Sequence, residues 1–225
     1  MGSVWMDGIK GRINEEKRME RPEAVRDRKV DVLIIGGGMA GILCAHKLKK
    51  AGVSCIVVEA RSVGGGVTQN TTAKITAQHS LIYDDLIKKK GMEKARQYYE
   101  IQEKALAEYR RLAGSIPCDL ENKTAYVYEK NGGKKLEREA EAYQKLGIPM
   151  HFQENPPLPF QTAGALGMEG QAQFHPMKFL MGLAKDLEIY ENAFVTHVQG
   201  NVAITRIGRV VAKHIVLATH FPLVN

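Results

Sequence analysis

Residues 30–59, VDVLIIGGGMAGILCAHKLKKAGVSCIVVE, constrain this chain more than any other stretch. Residues 30–35 are a short apolar run rich in branched side chains, as a strand buried on both faces requires. Gly36-Gly37-Gly38-Met39-Ala40-Gly41 follows, a G-x-G-x-x-G. A helical pattern then runs on and is closed by Gly52. Residues 53–58 are a second apolar run, with Glu59 at its tip. In such a unit each glycine has its own task. Gly36 permits the tight turn out of the strand, Gly38 lets the backbone approach a pyrophosphate, and Gly41 lets the helix pack close on the strand. The helix N-terminus, at Met39 and Ala40, offers amides and a positive dipole end to phosphates.

The motif alone is weak, but here it follows a strand, opens a helix and ends in an acid, which is the context it needs. Glu59 stands ready to accept hydrogen bonds from a ribose diol, and an acid at that position disfavours a 2′-phosphate. The unit predicts an α/β fold with a Rossmann-like FAD/NAD(P)-binding domain.

Composition narrows the rest. The formal charge of +7 is spread thinly, and no basic run is interleaved with aromatics. A nucleic-acid partner is therefore not expected. No apolar run approaches the ~20 residues of a membrane span, so no membrane partner is expected either. The three cysteines, Cys44, Cys55 and Cys118, are unclustered, and Cys44 and Cys55, in the helix and second strand of the unit, read as small buried hydrophobes. The absence of a disulfide framework suits the cytoplasm. The histidines are scattered and show no metal-ligand spacing, so no metal site is expected.

Residues 1–29 read as an N-terminal arm, pinned by Trp5. Residues 60–74 hold three glycines and a run of small hydroxyl and amide side chains. This composition suits a loop that wraps a cofactor. Helices are predicted over 80–90 and 92–113, a helical excursion from the nucleotide domain. A strand over 124–129, a helix over 134–146 and strands near 149–152, 162–166 and 171–174 suggest the beginning of a mixed α+β substrate domain. Pro176 opens a helix over 177–187. Strands follow over 188–190, 193–198, 202–205, 210–212 and 214–220, the last a central parallel strand returning to the first unit. These readings give a discontinuous nucleotide domain, 30–115 and 175–225, and an incomplete substrate domain, 116–174.

Four stretches carry a resemblance: DVLIIGGGMAGI with Glu59; NTTAKITAQHSLIYDDL; FHPMKFLMGLA; and YENAFV followed by GRVVAKHIVLATHFP. Together they resemble FAD-dependent oxidoreductases of the D-amino-acid-oxidase and glycine-oxidase type, in the subgroup whose longer members carry a C-terminal Rieske domain. The resemblance implies FAD as the cofactor and a small-molecule substrate such as an amine, with a redox partner. It implies cofactor contacts from Gly36, Gly38, Met39, Ala40 and Gly41, then from Glu59, Ala60 and Arg61. It places Thr71, Thr72, Ala73 and Lys74 near the pyrophosphate and flavin. It also implies that Val195 meets the adenine through its backbone and that Ala218 and Thr219 line the cofactor. The chain reads as the N-terminal part of such an enzyme, with no turnover expected from it alone. The rival reading is an inactive FAD-binding fragment or a scaffold subunit completed by a partner. Lys74, His79 and His220 are the titratable candidates, and the sequence assigns none of them a catalytic role.

Overall fold

The computed structural model describes residues 3–6, 25–156 and 158–220. A 3-10 turn spans Val4–Met6 and precedes β1 (Val25–Ile35), α1 (Met39–Lys50) and β2 (Cys55–Val58). A second 3-10 turn spans Thr68–Asn70 and leads to β3 (Lys74–Ile75), α2 (Tyr83–Lys90) and α3 (Met92–Ala113). Then come β4 (Glu121–Tyr128), α4 (Lys134–Leu146), β5 (His151–Gln153), β6 (Ala165–Gln173) and α5 (Pro176–Ala184). Four strands close the described chain: β7 (Ile189–Tyr190), β8 (Val195–Gln199), β9 (Val202–Thr205) and β10 (Gly208–Leu217).

These elements form two compact units. One holds the described residues of Met1–Thr72, Ile116–Cys118 and His175–Asn225, the other Ala73–Ser115 and Asp119–Phe174. The boundary differs from the one read in the sequence, because residues 73–115 group with the second unit. Tyr83 on α2 and Ala95 on α3 are buried in one cluster with Ala142, Tyr143 and Leu146 on α4 and Met168 on β6. Burial of that apolar face decides the partition, and chain order does not.

The first unit is built on a six-stranded sheet of order β7-β2-β1-β10-β9-β8. The pairs β2–β7, β1–β2 and β1–β10 are parallel, while β9 runs antiparallel to β10 and β8. Leu33, Ile35, Ile56 and Val58 fill one face with Val195, Ala203, Val210 and Ala212. Alternation sends Ile34 and Val57 to the opposite face. α1 packs against β1, β2 and α5. The expected strands 210–212 and 214–220 are one continuous strand, β10. Its first half pairs with β9 on one edge while its whole length pairs with β1 on the other, so pairing with β1 carries it through Lys213. Cys44 and Cys55 are only half-buried, which corrects their reading as buried hydrophobes, while Cys118 is buried.

The second unit is an antiparallel sheet in which β6 pairs with β4 along one edge and with β3 and β5 at opposite ends of the other. Here too one strand replaces two: β6 runs unbroken through the expected gap at 167–170, and a register shift between Lys123 and Ala125 of β4 absorbs the irregularity. The helices depend on one buried carboxylate. The N-cap of α2 is Ile82, which has no cap of its own. Glu139 of α4, 1% exposed, supplies it. Its Oε1 accepts the Ile82 and Tyr83 amides at 3.0 and 2.9 Å, and Oε2 accepts the Asp84 amide at 3.0 Å. Burial raises the Glu139 carboxyl above its ordinary value of 4.5, and the three amides only partly oppose that shift.

Glu139→Ala strands the buried Tyr83 amide and the half-buried Ile82 and Asp84 amides and is expected to cost about 2–3 kcal/mol, read as a lowered urea midpoint. The pH dependence has a defined sign. A carboxyl whose folded pKa is raised contributes most below its unfolded pKa, and loses that contribution as pH rises through the folded value. The wild-type advantage over Glu139→Ala should therefore shrink on going from pH 4 to neutrality, and a growing advantage would contradict the assignment.

Candidate functional site

Three strand ends meet at the glycine turn. The Gly36 amide donates to the Val58 carbonyl at 2.8 Å, and the Ala218 amide donates to the Ile35 carbonyl at 2.9 Å. The C-termini of β1, β2 and β10 are thereby held side by side, where a doubly wound sheet receives its ligand. Gly36 has φ +117°, and a Cβ there would lie 2.6 Å from the Ala218 carbonyl oxygen. A Cβ at Gly41 would lie 1.9 Å from the Gly36 carbonyl oxygen. Both glycines are therefore dictated by the protein's own packing.

Gly38 is different. Its φ of −81° suits any residue, and a Cβ would meet only Thr68 Oγ1, at an ordinary 3.4 Å. Nothing among the described residues fills the space a side chain would take there. α1 starts at this point with no side-chain cap from Gly38, no acid in its first turn and Lys47, Lys49 and Lys50 in its last. Of the first-turn amides, that of Met39 is taken by Thr68 Oγ1 at 3.1 Å. A backbone that exposes amides and leaves side-chain space empty fits an anion of pyrophosphate size.

Glu59 extends from the tip of β2 and is half-buried. Its Oε2 accepts the Gly37 amide at 2.7 Å and its Oε1 accepts the Arg61 amide at 2.9 Å. Two backbone amides thus fix the carboxylate beside the glycine turn. The segment after β7 runs along it. The Glu59 amide donates to the Tyr190 carbonyl at 2.9 Å, and the Ala193 amide returns to the Glu59 carbonyl at 2.8 Å. The Asn192 amide donates to the Arg61 carbonyl at 3.0 Å. Glu191 Oε1 accepts the Val63 amide at 2.7 Å. This pairing leads into β8, where Val195 is buried opposite Thr205.

Residues 60–72 form a self-bonded loop. The Gly64 amide donates to the Gly37 carbonyl at 2.9 Å, tying the loop to the glycine turn. Gln69 and Asn70 donate from their side chains to the Gly65 and Gly66 carbonyls at 2.7 and 3.0 Å. Of the residues expected at the site, Gly36, Gly38, Met39, Ala40, Gly41, Glu59, Ala60, Arg61, Thr71, Thr72, Val195, Ala218 and Thr219 lie in the first unit. Ala60, Arg61, Thr72 and Thr219 are exposed, and Thr71 and Ala218 are half-buried. Ala73, buried at φ +60°, and Lys74, exposed on β3, belong to the second unit. Thr68 and Gly37 were missed. The hydroxyl-rich run beginning at Thr68 was the available signal, but periodicity does not say which hydroxyl turns back to the helix.

The titratable candidates are divided between the two units, Lys74 and His79 in the second and His220 in the first. His79 Nδ1 lies 3.1 Å from the Tyr98 hydroxyl in the second unit, and His220 is exposed just past β10 in the first. The second unit has a cavity of about 840 Å³ whose lining includes Lys74, Thr76, Gln78, Lys123, Tyr126 and Tyr128. Beside it, Tyr126 and His151 place their rings edge to face over Gly167, with centroids 5.7 Å apart. A Cβ at Gly167 would lie 2.3 Å from the His151 ring.

A family model described as FAD dependent oxidoreductase matches residues 31–222. A Bacillus subtilis protein bearing the name Rieske 2Fe-2S iron-sulfur protein YhfW is 35% identical over 89% of this chain and 42% of its own length. The gamma-glutamylputrescine oxidoreductase of Escherichia coli is 23% identical over 84% of this chain and 48% of its own length. The chain thus spans about half the length of the curated relatives it matches. Among solved structures, glycine oxidase from Geobacillus kaustophilus superposes with TM-score 0.68 at 22% identity, covering 85% of this chain and 55% of that one. L-proline dehydrogenase from P. horikoshii gives 0.70 at 18% identity, covering 86% and 53%. These likenesses show the fold. Among the described residues no helix is long and apolar enough to cross a membrane.

The steric difference between the glycines yields a stability prediction. Gly41→Ala drives a methyl into the Gly36 carbonyl and is expected to cost at least ~2 kcal/mol in a urea titration. Gly38→Ala, with room for its methyl, should stay within ~0.5 kcal/mol of wild type. Equal costs would contradict the geometry.

Proposed function

Because the chain belongs to the FAD-dependent oxidoreductases, we propose that its first unit holds FAD at the glycine turn and that the protein takes part in oxidising a small amine. The observation that carries the cofactor assignment is the contrast at the turn. Gly36 and Gly41 are forced by packing, while Gly38 is left without a protein reason to be glycine. A pyrophosphate seated against the backbone supplies that reason.

In this reading the amides of Gly38, Ala40 and Gly41 receive the phosphates, while Met39, its own amide held by Thr68 Oγ1, sets the head of the helix beside them. Gly36 and Ala218 keep the strand ends close enough for the turn to form, and Thr219 continues the same edge. Glu59, oriented by the Gly37 and Arg61 amides, accepts from the ribose diol. Ala60 and Arg61 border the ribose, and Val195 offers its backbone to the adenine. Thr71 and Thr72 close the loop over the nucleotide, and Ala73 and Lys74 carry the chain on toward the flavin. When bound, FAD supplies the electron acceptor for removal of a hydride equivalent from a carbon next to nitrogen. The protein's own part is to bind, orient and exclude water. The amine class is supported by the names of the relatives: glycine oxidase, L-proline dehydrogenase and gamma-glutamylputrescine oxidoreductase. The Rieske name of the Bacillus subtilis relative supports an iron–sulfur redox partner. Lack of a disulfide framework supports a cytoplasmic setting.

The test is nucleotide identity and retention. Protein reconstituted with FAD and desalted should release FAD on denaturation, and recovery of NAD or of no nucleotide would overturn the assignment. Gly38→Val should abolish retention without a matching loss of fold, since its side chain occupies the phosphate's place. Glu59→Ala should weaken FAD binding by about 1–3 kcal/mol, the cost of leaving ribose hydroxyls without a charged acceptor.

A further inference from the structure

The N-terminal turn makes contacts that cofactor binding as described does not require. The Trp5 indole N–H donates to the Thr71 carbonyl at 2.9 Å, across 66 positions of sequence. Ser3 Oγ donates to the Gln69 carbonyl. The turn is closed on itself by the Met6 amide on the Ser3 carbonyl at 3.0 Å. The Trp5 ring also stands edge-on to the His175 imidazole, with centroids 5.2 Å apart. His175 is the N-cap of α5 and accepts the Lys178 amide at 3.2 Å. One side chain therefore joins the end of the 60–72 loop to the start of α5.

The same end of that loop is also joined to the head of α1. Thr71 bonds back to the Thr68 carbonyl, and Thr68 Oγ1 accepts the Met39 amide at the head of α1. At Gly64 the loop is pressed on α5, where a Cβ would lie 2.6 Å from Leu180 and 2.7 Å from Met177. A continuous line of contacts thus runs from Trp5 through Thr71 and Thr68 to the helix N-terminus. Loops of this composition, rich in glycine and small polar residues, lose much entropy on ordering. A clasp that orders the loop before the ligand arrives removes that cost from binding.

We propose that Trp5 is a positioning residue that clasps the 60–72 loop and thereby slows release of the dinucleotide. The proposal rests on the reading of the glycine turn as the FAD site. Trp5 touches no phosphate or ribose contact itself and acts through Thr71 and Thr68. Its indole N–H and its ring make separable contributions, the first to Thr71 and the second against His175.

The test uses the whole 225-residue chain and the variants Trp5→Phe, which keeps a ring, and Trp5→Ala, which keeps neither. In apo-protein, hydrogen exchange at the amides of residues 64–71 should quicken in the order wild type, Trp5→Phe, Trp5→Ala, with the β1 and β10 amides unchanged. FAD dissociation, followed by flavin fluorescence on transfer to an excess of a flavin-scavenging apoprotein, should follow the same order. Loss of the one neutral hydrogen bond predicts about threefold faster release for Trp5→Phe, and loss of the ring as well about tenfold or more for Trp5→Ala. A merely structural role would lower the melting temperature and speed exchange throughout the unit without singling out the loop, and that result overturns the proposal. Unchanged loop exchange overturns the clasp, and faster exchange with an unchanged release rate overturns its link to the cofactor. If the wild type binds no FAD, the cofactor reading fails by itself, while the exchange measurement still decides whether Trp5 orders the loop.

Discussion

The first unit depends on a point where three backbones touch. The ends of β1, β2 and β10 are drawn together by main-chain hydrogen bonds, and the start of α1 is laid across them. The Gly36 carbonyl sits where a Cβ of Gly41 would be, and the Ala218 carbonyl sits where a Cβ of Gly36 would be. Interiors are close-packed, so a methyl group inserted there has no soft neighbour to displace. The helix cannot be tilted away without opening the site between its N-terminus and the strand tips. Fold and site are set by the same atoms.

The sequence displayed this part well, because tight turns and close helix–strand contacts impose residue types that periodicity and motif reading detect. Helix α4 likewise matches the pattern over 134–146, where a glycine turn before it and Gly147 after it mark both ends. Other parts were less legible. Expected breaks in β6 and β10 rested on glycines and a lysine, and ladder partners on both edges override such local signals. The grouping of α2 and α3 with the second sheet depends on Tyr83 meeting Tyr143 at 5.2 Å, a contact between residues 60 positions apart. Thr68 and Trp5 were invisible as partners of the site for the same reason. Their roles exist only in hydrogen bonds to Met39 and Thr71 that no local pattern encodes.

The second unit solves a different problem with the same economy of means. A helix whose first turn lacks its own cap is held by a carboxylate from another helix, beside the buried Tyr83 and Tyr143 and the half-buried Tyr99. Burial pushes the Tyr83 and Tyr143 hydroxyls well above the ordinary tyrosine range. Tyr83 keeps its proton and donates it to the Ala77 carbonyl at 2.7 Å, at the start of the segment leading into α2. Such a core is tied together by polar bonds that fail as a group if one partner is lost. It supports a sheet whose exposed rings, Tyr126 and Tyr128, line the cavity beside Lys74 and Lys123.

Glu59 shows how structural and ligand demands can be told apart within one motif. Its carboxylate is already engaged by two backbone amides, so the acid has a task in the protein alone: it joins the glycine turn to the start of the loop. A carboxylate offers about four lone-pair directions, and two amides leave capacity for a ribose diol. Gly38 has no such internal task, since its dihedral angles are ordinary and its side-chain space is open. A residue that the protein's own packing leaves unexplained, set among residues that packing explains in full, is the mark of a surface shaped for something outside the polypeptide. At this turn the unexplained position faces the head of a helix with no acid in its first turn, and an anionic dinucleotide satisfies both facts together.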